Sequence, residues 1–199
     1  MQKDNLLKNI ATTGYNVGFG AKKHFATYDI VEKTPGWIGF ISTAFGVYAL
    51  VFDSLSTKFL SATFVVFGIV ALYITFYDSK KTAYENAGIE LTKQFNGLRD
   101  LYRTVQTTTN PDLSAYVQQL SAIEQTYYGI SLSKQITFSD WYAHYKFFWQ
   151  HQIDWIDEQK NFRFWRDKVP LSFTATLIVA LVAMGVAAAY HVKWCTLPS

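Results

Sequence analysis

Thr34 to Phe52 reads TPGWIGFISTAFGVYALVF, and Phe59 to Tyr77 reads FLSATFVVFGIVALYITFY. Each run is 19 residues without an Asp, Glu, Lys, Arg or His. About 20 apolar residues at ~1.5 Å each cross a hydrocarbon core of ~30 Å, so both runs have the length of a membrane span. A third run, Val169 to Tyr190, has 22 residues of the same character. The competing reading is a hairpin buried in a soluble bundle. Soluble helices normally keep a polar face, which these runs lack.

Working outward, only Asp53 to Lys58 separates the first two spans, which predicts a tight hairpin. Met1 to Lys33 holds five Lys and no apolar core ahead of a small-residue cleavage site, so no cleavable signal is expected and the first span serves as its own insertion signal. Asp78 to Lys168 holds eleven basic and eleven acidic residues. Lys80, Lys81, Arg163, Arg166 and Lys168 flank the spans. Positive flanks stay cytoplasmic, which places residues 1–33 and 78–168 inside, with the hairpin turn and the tail 193–199 outside. Trp37, Tyr73, Tyr77, Tyr190 and Trp194 fall near the expected boundaries, where amphipathic rings favour the headgroup layer.

The whole chain has 199 residues, 50% of them hydrophobic and 17% charged, with a net charge of +3. That excludes a disordered chain, and the surplus is too small to predict nucleic-acid binding. Cys195 is the only cysteine, so intrachain disulfides and Cys-based zinc cages are excluded.

Within 78–168, Tyr84, Ala87, Leu91, Phe95, Leu98, Tyr102 and Val105 recur at steps of three and four, which predicts one helical stripe continuing from the second span. Asn110-Pro111-Asp112 stops it, with Asn110 as the expected cap of a shorter helix marked by Leu113, Val117, Leu120, Ile123 and Tyr127 and ending near Gly129. Ser139 is expected to cap a last long helix, striped by Trp141, Tyr145, Phe148, Gln152, Trp155, Gln159 and Phe162, that runs unbroken into the third span. Trp149, Ile153 and Ile156 add a second apolar side. The aromatic set Trp141, Tyr145, Phe148, Trp149, Trp155 and Phe162 is therefore read either as internal core or as an interface between subunits. The expected architecture is an all-α integral membrane protein: a juxtamembrane segment over 1–33, a transmembrane hairpin over 34–77, a cytosolic bundle over 78–168, a third span over 169–192 and a short tail.

Gly14 to Gly20 reads GYNVGFG, too glycine-rich for a rigid helix and unlike a phosphate-binding spacing; flexible entry or close helix contact is expected there. The spans carry small residues at helical spacing. Gly39, Ser42, Thr43, Gly46, Ser61, Thr63, Gly68, Ala71 and Thr75 form a candidate seam, either for packing within one chain or for lining a conduit between subunits. No span holds a buried charge, which disfavours ion-coupled transport. Asp140, His144, His151, Asp154 and Glu158 share a face of the expected last helix and could ligate a metal, but no facing helix offers a second histidine set; a solvated polar face is the simpler reading. No nucleophile with an adjacent base is visible, so no enzyme, cofactor or catalytic residue is expected.

Residues 21–40, AKKHFATYDIVEKTPGWIGF, resemble the SLATT family of bacterial two-transmembrane effector domains associated with SMODS nucleotidyltransferases and SLOG sensors. The likeness runs from about residue 14 to about residue 110, and the third span departs from the two-span plan. The resemblance implies an effector in the bacterial inner membrane, serving antiphage conflict systems as an oligomeric pore. Its partner would be a cyclic-nucleotide synthase or a reverse transcriptase. A non-conducting anchor for such an enzyme is the alternative.

Overall fold

In a computed structural model, residues 2–55 and 57–195 are described, the last eight of these by backbone only. Among them the chain is all helical, with no strand. Residues 1–160 and 161–199 form two compact units. Tyr190, Trp194, Cys195 and the tail, named above, lie outside the described side chains.

Helix α1 (Lys3–Ala49) runs 47 residues, straight through Gly14–Gly20 and over Pro35. The expectation of a flexible glycine entry is therefore wrong. The glycines are helical because their missing side chains let other elements approach. A Cβ at Gly14 would lie 2.2 Å from the Trp155 ring, one at Gly18 2.6 Å from Phe95, and one at Gly88 2.9 Å from Phe25. Close contact, the other half of the expectation, is what they make.

After a short turn at Asp53–Leu55, α2 (Lys58–Thr75) begins at Thr57, whose side chain accepts from the Leu60 N–H at 3.2 Å. One turn of 3₁₀ helix, Asp78–Lys80, leads into α3 (Lys81–Thr107). Every residue of the expected α3 stripe is buried: Tyr84, Ala87, Leu91, Phe95, Leu98, Tyr102 and Val105. Helix α4 (Ser114–Ile130) starts later than Asn110 because the Asn110 side chain instead accepts from the Asp112 N–H, and Asp112 from the Ser114 N–H, in two successive turns.

The expected unbroken last helix is two. Helix α5 (Ser139–Gln150) ends at His151, which is extended, and α6 (Asp154–Lys160) follows. Contacts at Ile136, Phe147 and Trp155 with α1 residues 31, 18 and 14 show that this pair runs antiparallel to α1, away from the hairpin. In α5 the buried face is not the first expected stripe: Ala143 and Phe147 are fully enclosed, whereas Tyr145 and Trp149 are 52% and 59% exposed; of the second apolar side, Ile153 and Ile156 are buried. Only Trp155 of the expected stripe is deeply buried, between the rings of Phe95 at 5.5 Å and Tyr102 at 5.3 Å. The first unit is thus a bundle in which α3, α4 and the α5–α6 pair pack around the lower half of α1, while the upper half of α1 and α2 form a hairpin. Asn161, in the left-handed conformation that asparagine tolerates, closes α6.

In the second unit, a π turn at Phe164–Lys168 precedes α7 (Leu171–Cys195). Asp167 accepts from the Arg163 N–H and from Arg166, both at 2.8 Å, which holds the turn closed.

By length and composition, one helical stretch among the described residues, Lys58–Thr107, can cross a membrane, and its apolar window is almost entirely unburied. The described apolar part of α7, Leu171–Ala187, is shorter.

Candidate functional site

The bundle and the hairpin meet where α1 passes residues 24–31, α2 gives way to α3, and the α4–α5 connection, residues 131–138, folds across both. A core of Val31, Ile74, Tyr77, Tyr84 and Ile136 fills this junction, with Tyr28, Ile30 and Leu132 against it. Ile74 comes from the hairpin, Tyr84 from the bundle and Ile136 from the connection. A displacement of any one is felt by the other two, because close-packed interiors do not deform independently.

Polar contacts fix the same three elements. The Leu132 N–H donates to His24 Nε2 at 3.0 Å, and the His24 ring meets the Gly20 carbonyl through Nδ1 at 2.7 Å. Those two contacts require a neutral ring with its proton on Nδ1. Burial, then the nearby Lys23 charge, lower the His24 pKa and keep it in that form. One turn on, the Thr27 hydroxyl donates to Gln135 Oε1 at 2.5 Å, and Gln135 Nε2 donates to the Leu132 carbonyl at 2.8 Å. The Tyr84 hydroxyl donates to the Lys134 carbonyl at 2.5 Å, and burial raises its pKa. On the hairpin side, the Tyr73 hydroxyl lies 3.0 Å from Thr137 Oγ1, and the Lys134 ammonium lies 5.1 Å from the Tyr77 ring centre.

Charges ring the junction. Asp29 pairs with Lys146 of α5 and with Lys33 at 2.6 Å; burial raises its pKa, but these two cations more than offset that and hold it below the usual carboxylate range. Lys81 of α3 reaches Glu32 of α1 at 2.6 Å, and Lys23 reaches Asp140 at 2.7 Å. The last two are partly solvated and contribute little each. Asp29 and Lys146 are enclosed enough for loss of one partner to be costly.

The candidate seam lies above this junction, with Gly39, Gly46 and Gly68 on exposed helix surface. A methyl group placed on any of the three would meet nothing within 4 Å. Within the chain the hairpin packs instead through Phe45 against Phe64, ring centres 5.6 Å apart. Ser61, Thr63 and Thr75 return their hydroxyls to carbonyls of their own helix, at 3.1, 2.9 and 2.7 Å, which satisfies them in an apolar setting. Ser42 and Ala71 are half-buried, and Thr43 is exposed. The aromatic set is dispersed: Trp155 is inside the core, Trp141, Phe148 and Phe162 are half-buried, and Tyr145 and Trp149 face outward.

Four of the five residues weighed as metal ligands go to separate partners. Asp140 pairs with Lys23, Glu158 accepts from the Tyr102 hydroxyl at 2.9 Å, and His144 and His151 lie against Phe148 and Phe95, with ring centres 4.8 and 4.6 Å apart. Burial, then the charges of Lys22 and Arg99, push the His151 pKa down to about 4. Among the described residues no cluster of three or more His, Cys, Asp or Glu could hold a metal.

His24, Thr27, Asp29, Gln135 and Lys146 were not singled out from sequence. A signal was present: on α1, Ile10, Val17, Ala21, His24, Thr27 and Val31 fall on one buried face, and two polar residues inside an otherwise apolar stripe require partners. Comparison with curated proteins and with solved structures gave no match. A family model described as SMODS and SLOG-associating 2TM effector domain 6 matches residues 1–177.

Proposed function

Since the chain belongs to the SMODS and SLOG-associating 2TM effector domain 6 family, we propose that it is a membrane effector of a bacterial antiphage conflict system that oligomerises and opens a pore. One contrast carries this reading. Glycines of the bundle, Gly14, Gly18 and Gly88, are packed against aromatic rings, while glycines of the hairpin, Gly39, Gly46 and Gly68, have open space where a side chain would be. In lipid, small residues allow helix backbones to approach closely, so a small-residue surface left open by its own chain suits contact with a second copy. The hairpin spans the inner membrane, with the bundle and the N-terminus in the cytoplasm; α7 provides a further span.

A partner enzyme, a cyclic-nucleotide synthase or a reverse transcriptase, supplies the trigger to the bundle. Because α1 is one helix from Lys3 to Ala49, a change in bundle packing at His24 or Asp29 reaches the hairpin without crossing a flexible joint. The trigger acts only by favouring the open assembly over the closed one, since equal affinity for both shifts nothing. A hydrophobic constriction keeps the resting conduit dry.

The test is induction in cells with the genomic neighbour while a potential-sensitive dye is read. Depolarisation ahead of growth arrest, abolished by Gly46→Leu with Gly68→Leu, supports the pore. The second reading, a non-conducting anchor, draws on the exposed Tyr145 and Trp149 of α5 as an enzyme-docking face. It predicts arrest or protection at full membrane potential, with loss on Trp149→Ala.

A further inference from the structure

The α4–α5 connection ends in a residue whose conformation and exposure the junction does not explain. Phe138 has φ of 69°, a left-handed backbone that bulky side chains rarely adopt, and its ring is 61% exposed. The two residues before it are anchored to the junction. Ile136 is buried against Val31 and Ile74, and Thr137 lies 3.0 Å from the Tyr73 hydroxyl. That last contact sets the height of the loop: Tyr73 belongs to the final turn of the apolar helix α2, so Phe138 stands level with the cytoplasmic end of that helix, whose capping residue Phe76 is 75% exposed. The Trp141 ring packs on Phe138 at 5.1 Å, extending the apolar surface down the first turn of α5. Cations accompany it: Lys134 stands over the Tyr77 ring, and Lys80 is exposed on the adjoining turn. The acidic neighbours are Asp78, near Lys81 at 3.7 Å, and Asp140, paired with Lys23.

Aromatic rings at the mouth of an apolar helix, flanked by lysines, match the chemistry of the headgroup layer of an anionic membrane. We propose that the 131–138 connection is a membrane-docking element, with Phe138 and Trp141 seated among the headgroups and first acyl carbons of the cytoplasmic leaflet and Lys134 and Lys80 facing anionic lipid phosphates. The proposal rests on the membrane reading above. It gives the junction a second hold on the bilayer besides the hairpin, so that lipid contact and bundle packing act on the same loop.

The test uses the full chain with Cys195→Ser, reconstituted in phosphatidylcholine vesicles containing phosphatidylglycerol, with one nitroxide label at a time on Phe138→Cys, Trp141→Cys, Leu72→Cys and Gln150→Cys. Relaxation by oxygen and by a water-soluble nickel chelate reports the surroundings. The expected result is an oxygen-to-nickel ratio at 138 and 141 shifted from the aqueous value at 150 toward the lipid value at 72. A lipid value at 72 with an aqueous value at 138 and 141 overturns the docking element alone. Shielding from both reagents at 138 means that protein, such as a second copy, covers the loop, and overturns the lipid assignment. An aqueous value at 72 overturns the membrane reading itself. Trp141→Cys carries the test if Phe138→Cys does not fold.

Discussion

Adding one methyl group at Gly14 separates two opposing effects. Gly14 is inside α1, where alanine is favoured over glycine by about 1 kcal/mol because glycine loses more backbone freedom on folding. Against this, the new Cβ would sit 2.2 Å from the Trp155 ring and 3.0 Å from two of its other carbons. Carbon atoms rest at about 3.5–4.0 Å, so the overlap exceeds about 1 Å. The ring cannot swing aside, since Trp155 is only 7% exposed and wedged between Phe95 and Tyr102. Overpacking of this kind costs about 1–3 kcal/mol, and with a fixed ring the upper end applies. Gly14→Ala is therefore expected to lower stability by about 2 kcal/mol net of the helix gain, a fall in Tm of about 4–8 °C for a chain of this size. Gly97→Ala, in α3 with nothing within 4 Å, serves as the control and is expected to raise Tm by about 1–4 °C. Thermal unfolding in detergent, followed by circular dichroism, measures both. Trimming the ring with Trp155→Phe should recover part of the Gly14→Ala loss, seen as favourable coupling in the double variant. A Gly14→Ala protein as stable as Gly97→Ala would refute the packing of α6 on α1.

Phe147→Ala, at a fully buried site, should cost about 3–5 kcal/mol in the same assay, while Tyr145→Ala on the exposed side of α5 should stay within about 0.5 kcal/mol. His24→Ala deprives the Leu132 N–H of its acceptor; about 1–3 kcal/mol is expected, read as faster hydrogen exchange across 131–138. His151 titrates near 4 in the fold and near 6.5 when unfolded, so the unfolded chain binds the extra proton between those values. Stability should therefore be full above about pH 6.5 and fall as pH drops toward 4, with His151→Gln flattening that slope in denaturant titrations; His24, shifted the same way, adds to it.

Helix α3 was legible because its apolar residues occupy a single face, so period and burial coincide. In α5 they do not: Trp141, Tyr142, Tyr145, Phe147, Phe148 and Trp149 surround the helix, and spacing alone cannot choose which side faces inward. The choice of Ala143 and Phe147 comes from α1, whose Gly18 leaves room for the Phe147 ring. Local rules also misjudged α1, since glycine disfavours an isolated helix and tertiary contact overrides that preference. The hairpin was visible from its lack of charge. The junction was not, because the partners of His24 and Thr27 lie 108 residues further on, beyond the reach of any local pattern.

That separation sets an order of assembly during synthesis. On the membrane reading, both hairpin helices can leave the ribosome and enter lipid well before residue 131 is made, whereas the groove on α1 beside His24 stays unfilled until the connection arrives. A nascent chain thus passes through a stage in which it is inserted but uncapped, with the sites that Leu132 and Gln135 fill at His24 and Thr27 still open. Expression fragments ending before about residue 138 would be held at that stage, anchored and lacking whatever restraint the bundle places on the spans.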